Sequence, residues 1–106
     1  MNSRAKGARG EREFAAFLRE LGAEARRGQQ YSGSPDSPDV VHNLPGLHFE
    51  VKRCERWEPE KWYLQAVRDA GPDEVPVVAM KKNRGRWLVL LDAEAFVRGL
   101  ARSTPD

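Results

Sequence analysis

The chain has 106 residues, the size of one domain with a small core. Hydrophobic residues make up 40% and charged residues 32%, which excludes a disordered or fibrous chain. Net charge is only +2, so charge alone does not point to a polyanionic partner. No apolar run approaches the ~18 residues of a membrane span, and the first residues lack the apolar stretch of a secretion signal. The single cysteine, Cys54, excludes an internal disulfide or a multi-cysteine zinc site and suits a reducing cytosol.

In chain order, residues 3–21 are expected to form a helix with a basic lead-in. Phe14, Phe17, Leu18 and Leu21 follow helical spacing, and Gly22 stops the helix in the C′ position. Gly7 and Gly10 weaken its first turns, or mark a close approach of the backbone to another element. Residues 1–8 form a basic arm and 102–106 a tail, both expected to be flexible. Residues 23–27 read as a short edge strand, and 28–38, rich in Gly, Ser, Gln and Pro, as a long loop of the kind that is often functional. Residues 40–42 and 47–51 read as two strands of a hairpin about Leu44-Pro45-Gly46.

A helix over 58–70 follows, with Pro59 at its first position and Gly71-Pro72 ending it. Residues 75–80 read as a buried strand, Asn83-Arg84-Gly85 as a turn, and 87–91 as the partner strand. Asp92 caps a last helix whose apolar side is Ala93, Phe96, Val97 and Leu100. The order α-β-β-β-α-β-β-α implies one domain with a mixed sheet flanked by helices, hence α/β or α+β.

The chemistry concentrates between residues 37 and 52. Strand alternation puts Glu50 and Lys52 on one face, with Phe49 and Val51 on the other. Hairpin pairing in an even register brings Asp39 onto the face of Glu50 and Lys52, leaving Val40, Phe49 and Val51 on the core face. Phosphodiester cleavage needs an activated water and neutralisation of charge on phosphoryl oxygens. Magnesium does both, binding through one or two carboxylates plus waters. Asp39 and Glu50 supply carboxylates, the Val51 carbonyl lies between Glu50 and Lys52, and Lys52 is a compact cation for the attacking water or the developing charge. Glu-x-Lys alone is common on the solvent face of amphipathic strands. Pro-Asp, two valines, a turn and Glu-Val-Lys form a far rarer set.

Ser37-Pro38-Asp39 with Glu50-Val51-Lys52 resembles the PD-(D/E)XK nuclease signature. The segment Gly10-Glu11-Arg12-Glu13-Phe14, then Gly22 and Arg26-Arg27, is similar to the archaeal-type Holliday junction resolvases and their phage relatives. The resemblance spans roughly residues 4–92. It implies a restriction-endonuclease-like αβββαβ core, magnesium dependence with manganese as a substitute, a homodimer, and incision of four-way DNA junctions. It also implies that Glu11 completes the metal site with Asp39, Glu50 and Val51, that Arg12 and Arg27 (or Arg26) are family arginines, and that Ser34 is the small polar residue before the aspartate. Gln65 resembles a glutamine near the site in related phage nucleases. Asp36 also follows a proline, so the metal-binding aspartate is Asp39 or Asp36, with Val40-Val41 favouring Asp39.

Arginine outnumbers lysine 13 to 5, and Arg is the better bidentate phosphate ligand. Arg4, Lys6, Arg9, Arg12 and Arg27, with the cluster Lys81, Lys82 and Arg84, are the expected backbone contacts to DNA. Trp57, Trp62 and Tyr63 are expected in the core or a subunit interface rather than stacked on bases, and His42 and His48, outside any His/Cys ligand pattern, are expected to be structural or exposed rather than metal ligands. The function expected is a structure-selective endonuclease acting in the cytoplasm of a prokaryotic cell or phage-infected host. The alternatives are a same-fold nuclease for flapped or duplex DNA and a non-catalytic DNA-binding module.

Overall fold

The structure, a computed structural model, describes residues 3–28 and 40–103, with side chains over 7–28 and 40–99. Ser34, Asp36 and Asp39 therefore lie outside the described residues, as do the side chains of Arg4, Lys6 and Leu100. The elements are α1 (Ser3–Glu20), β1 (Ala25–Arg27), β2 (Val40–His42), β3 (Leu47–Arg53), α2 (Pro59–Asp69), β4 (Val75–Lys81), β5 (Leu88–Leu91) and α3 (Ala93–Ser103). This is the expected order.

β4 is the central strand of a three-stranded mixed sheet, parallel to β3 and antiparallel to β5. A parallel pair needs a crossover, which α2 provides. The apolar run of β4 is buried on both faces. Val77 and Ala79 join Phe14, Ala15, Leu18, Val40, Phe49 and Val51 beneath α1. Val78 and Met80 join Trp62 and Ala66 beneath α2. Pro76 is accommodated because Val75 turns its N–H to the Gly46 carbonyl on the β3 side. The N–H that proline lacks would therefore face the β5 side, one residue beyond the last β4–β5 pair, Val77 with Leu91.

Two expectations are corrected. β2 and β3 do not pair with each other among the described residues; β2 pairs antiparallel with β1 instead. The reason lies in the connection. The His42 Nε2–H donates to the Leu47 carbonyl and the Leu44 N–H donates to His42 Nδ1. The imidazole thus takes the acceptor at the start of β3 that a hairpin partner would use, while its ring packs edge-on against Phe49.

Leu21 is exposed rather than on the core stripe of α1. The helix ends in a Schellman motif: Ala23 N–H donates to Leu18 O, Gly22 N–H to Arg19 O, and Gly22 has φ +99. That puts Leu21 at the C-cap, turned away from the sheet, while Ala23 packs against the core. The apolar side of α3 is also uncovered, with Phe96 52% and Val97 61% exposed. Its start is as expected, the Ala95 N–H donating to Asp92 Oδ2.

The two early glycines of α1 separate. A Cβ on Gly10 would sit 2.8 Å from Arg53 Cβ, whereas one on Gly7 would meet nothing within 4 Å. Gly10→Ala is expected to cost about 1–3 kcal/mol by pushing α1 off β3. Gly7→Ala is expected to stabilise by up to ~1 kcal/mol through helix propensity. Urea unfolding midpoints of the two variants check this, and a stabilising shift in Gly10→Ala as well would show that α1 does not press on β3 at Gly10.

Candidate active site

β3 carries the site because its two faces serve different layers. Phe49 and Val51 point into the core beneath α1. His48, Glu50 and Lys52 alternate onto the α2 side, beside Val78 and Met80 of β4 in register. That side is not a solvent face: Glu50 is only 4% exposed. Lys52 Nζ lies 3.6 Å from Glu50 Oε1 and 5.9 Å from the centroid of the Trp62 ring. A carboxylate in that position costs several kcal/mol of desolvation unless cations or donors face it. An amphipathic strand with an ordinary solvated Glu-x-Lys pair does not account for it.

The backbone of β3 adds an oxygen. Val75 N–H donates to Gly46 O and Cys54 N–H to Lys81 O, at opposite ends of the parallel ladder. Backbone groups alternate sides along a strand, so Gly46, His48, Glu50, Lys52 and Cys54 turn theirs toward β4. The carbonyl of Val51 then points to the opposite edge, where no strand pairs with β3 among the described residues.

α1 and β1 bring a second carboxylate under control. Arg27 Nε donates to Glu11 Oε1 at 3.1 Å. Arg27 also pairs in the β1–β2 ladder with Val40, the residue after Asp39. Arg26, on the opposite face of the strand, is exposed. Of the two arginines, Arg27 is the one that pairs with Glu11. Gln65 is half-buried on α2, next to the buried Ala66. Arg9, Arg12, Lys82 and Arg84 are exposed and Lys81 is half-buried. Trp62 belongs to the core, as expected, and half-buried Trp57 donates to Cys54 O while Lys82 Nζ lies 5.0 Å from its ring.

Arg53 was not anticipated. It follows Lys52 but alternates to the α1 side, donating through Nε to Glu13 Oε2 and through an η nitrogen to Asn83 Oδ1. It therefore ties α1 to the turn that carries Lys82 and Arg84. The one cue in the sequence was parity: Arg53 shares its face with Phe49 and Val51, which left a long cation pointing at α1.

The sheet order and the buried Glu-x-Lys strand define a nuclease of the PD-(D/E)XK type, a class that uses divalent metals. Over residues 2–105 the chain matches, and belongs to, the family described as "Phage putative PDDEXK endonuclease". No curated protein matches the sequence. Among solved structures it is similar to Hjc of Archaeoglobus fulgidus, a Holliday junction resolvase from an archaeal hyperthermophile. Identity is 26% and the TM-score 0.55, over 81% of this chain and 72% of that one. No helix among the described residues is long and apolar enough to cross a membrane.

Lys52→Met keeps the aliphatic stem and removes the cation beside Glu50. It is expected to lower stability by about 1–3 kcal/mol, the usual cost of taking a partner from a buried polar group. Adding Glu50→Gln to that variant is expected to restore most of the loss. A double-mutant cycle by chemical denaturation checks this, and strictly additive losses would mean that the two side chains do not interact.

Proposed function

We propose that the protein is a magnesium-dependent, structure-selective endonuclease that cuts four-way DNA junctions as a homodimer. The observation that carries the reading is the buried Glu50 carboxylate beside Lys52, on a strand whose Val51 carbonyl faces an edge that no strand pairs with among the described residues. Three carboxylates and a carbonyl form a hard oxygen donor set, the kind that suits magnesium, with manganese as a substitute. Glu11, Asp39, Glu50 and the Val51 carbonyl hold the ion in this proposal. The chemistry a bound ion supplies in such a site is activation of water and neutralisation of charge on the phosphoryl oxygens. Lys52 orients the attacking water or stabilises the developing charge, and Arg27 fixes Glu11. Gln65 assists from α2.

The exposed arginines and lysines on α1 and after β4 favour contacts with the DNA backbone, hence recognition of shape over base sequence. The likeness to a Holliday junction resolvase favours a four-way junction as substrate. A junction presents two strands for paired incision and one chain carries one site, so two copies are needed. The uncovered Phe96 and Val97 of α3 give the second copy a surface. The cytoplasm of a prokaryotic or phage-infected cell is where such a substrate occurs.

A cleavage panel of four-way, flapped and linear DNA tests this, with magnesium or with EDTA. Four-way DNA is expected to be cut preferentially, and only with the metal. Asp39→Ala and Glu50→Ala are each expected to slow cleavage at least about a hundredfold while junction binding persists. Cleavage surviving both substitutions would show that the metal site lies elsewhere. Preference for flapped or linear DNA would replace the substrate, and binding without cutting would leave a DNA-binding module.

Binding is expected to weaken roughly a thousandfold between 50 and 200 mM salt if about six phosphates are contacted; a flat response would remove the basic residues from the interface. Sedimentation is expected to give a dimer, and Phe96→Asp with Val97→Asp a monomer.

A further inference from the structure

We propose that His48, Glu50 and Asp69 form a second divalent-cation site on the α2 side of β3, suited to a nitrogen-binding first-row ion such as zinc rather than to magnesium. A ring nitrogen of His48 and one carboxylate oxygen each from Glu50 and Asp69 lie within 4.8 Å of one another. The placement follows from the fold. His48 and Glu50 are two residues apart and share a face of β3. Asp69 is the last residue of α2, the helix that covers that face. Ligands about 2.1 Å from a tetrahedral ion sit about 3.4 Å apart, so closure needs up to about 1.4 Å of movement. Asp69 is exposed at a helix end and can supply that movement.

The two histidines make the contrast. His42 has both ring nitrogens engaged, one by the Leu47 carbonyl and one by the Leu44 N–H, so it belongs to its turn. His48 is only 7% exposed, and its Nε2 is shut off from solvent with no hydrogen-bond partner among the described residues. An imidazole buried in that state costs about 1–3 kcal/mol. Coordination offsets that cost, and imidazole suits zinc, manganese or cobalt where an all-oxygen set suits magnesium. Asp69 points the same way. A carboxylate at the C-terminal end of a helix opposes the helix dipole, and a bound cation reverses that penalty.

The site overlaps the one proposed for cleavage at Glu50 but differs from it in every other ligand. Its other ligands come from β3 and α2, whereas Glu11 and Arg27 belong to α1 and β1. Its existence does not rest on the nuclease reading, because binding is measured without DNA and without turnover.

The test is titration of the full chain with zinc at neutral pH, followed by calorimetry and by NMR of the two imidazoles, against four variants. Wild type is expected to take up zinc with a Kd well below 1 mM and to shift the His48 resonances while leaving His42 in place. Asp69→Asn is exposed and leaves the core intact; it is expected to weaken zinc binding at least tenfold, as is His48→Gln. Glu11→Gln and Asp39→Asn are expected to change zinc affinity by less than about threefold. The proposal is overturned if wild type binds no zinc below 1 mM, if Asp69→Asn binds as tightly as wild type, or if zinc shifts His42 instead. It is also overturned if Glu11→Gln or Asp39→Asn abolishes uptake, since the ion would then occupy the other site. Loss of DNA cleavage in any variant does not enter the result.

Discussion

Everything in this structure turns on the burial of a carboxylate in a strand that serves two layers. β3 sends Phe49 and Val51 into one core and Glu50 into the other. A strand at the edge of a one-sided sheet would leave Glu50 hydrated and unremarkable. Here α2 closes over it, so the carboxylate loses water and its electrostatic field is strengthened by the low-dielectric surroundings. Lys52, on the same face, sets its ammonium beside Glu50 and over the Trp62 ring of the covering helix. The fold accepts a desolvation penalty at one residue, which is the usual mark of a functional position.

The edge of β3 is the second constraint. Had 40–42 paired with 47–51 as a hairpin, the outward carbonyls of β3 would have been consumed by ladder hydrogen bonds. The His42 ring prevents this at the start of the strand by capping the Leu47 carbonyl, and β2 turns instead to β1. The same ladder then sets Val40 beside Arg27, which holds Glu11. One short connection thus separates two small sheets while keeping the acidic residue of α1 and the strand that follows Asp39 in the same neighbourhood.

Close packing of α1 on β3 completes the arrangement. Gly10 lets the helix backbone approach Arg53, and Arg53 bridges Glu13 to Asn83. The turn bearing Lys82 and Arg84 is therefore braced against the helix bearing Arg9 and Arg12. The likeness to the archaeal resolvase covers most of both chains at 26% identity.

Element order and the partition of Glu50 and Lys52 from Phe49 and Val51 were legible in the sequence, because both follow from local periodicity and from turn chemistry at Gly22, Pro59 and Asp92. So was the family, since its motif is local. The pairing of β4 with β5 about its short turn was legible too, but that of β2 was not: it depends on which distant partner meets each edge, and His42 decided that through contacts on both sides of its turn. The exposure of Phe96 and Val97 was also hidden, because an amphipathic helix records that it has an apolar face and not what covers it. The burial of Glu50 and His48, and the approach of Asp69 to both, exist only once α2 lies across β3. Alternation tells which residues share a face, but only tertiary packing decides whether that face meets water or another layer.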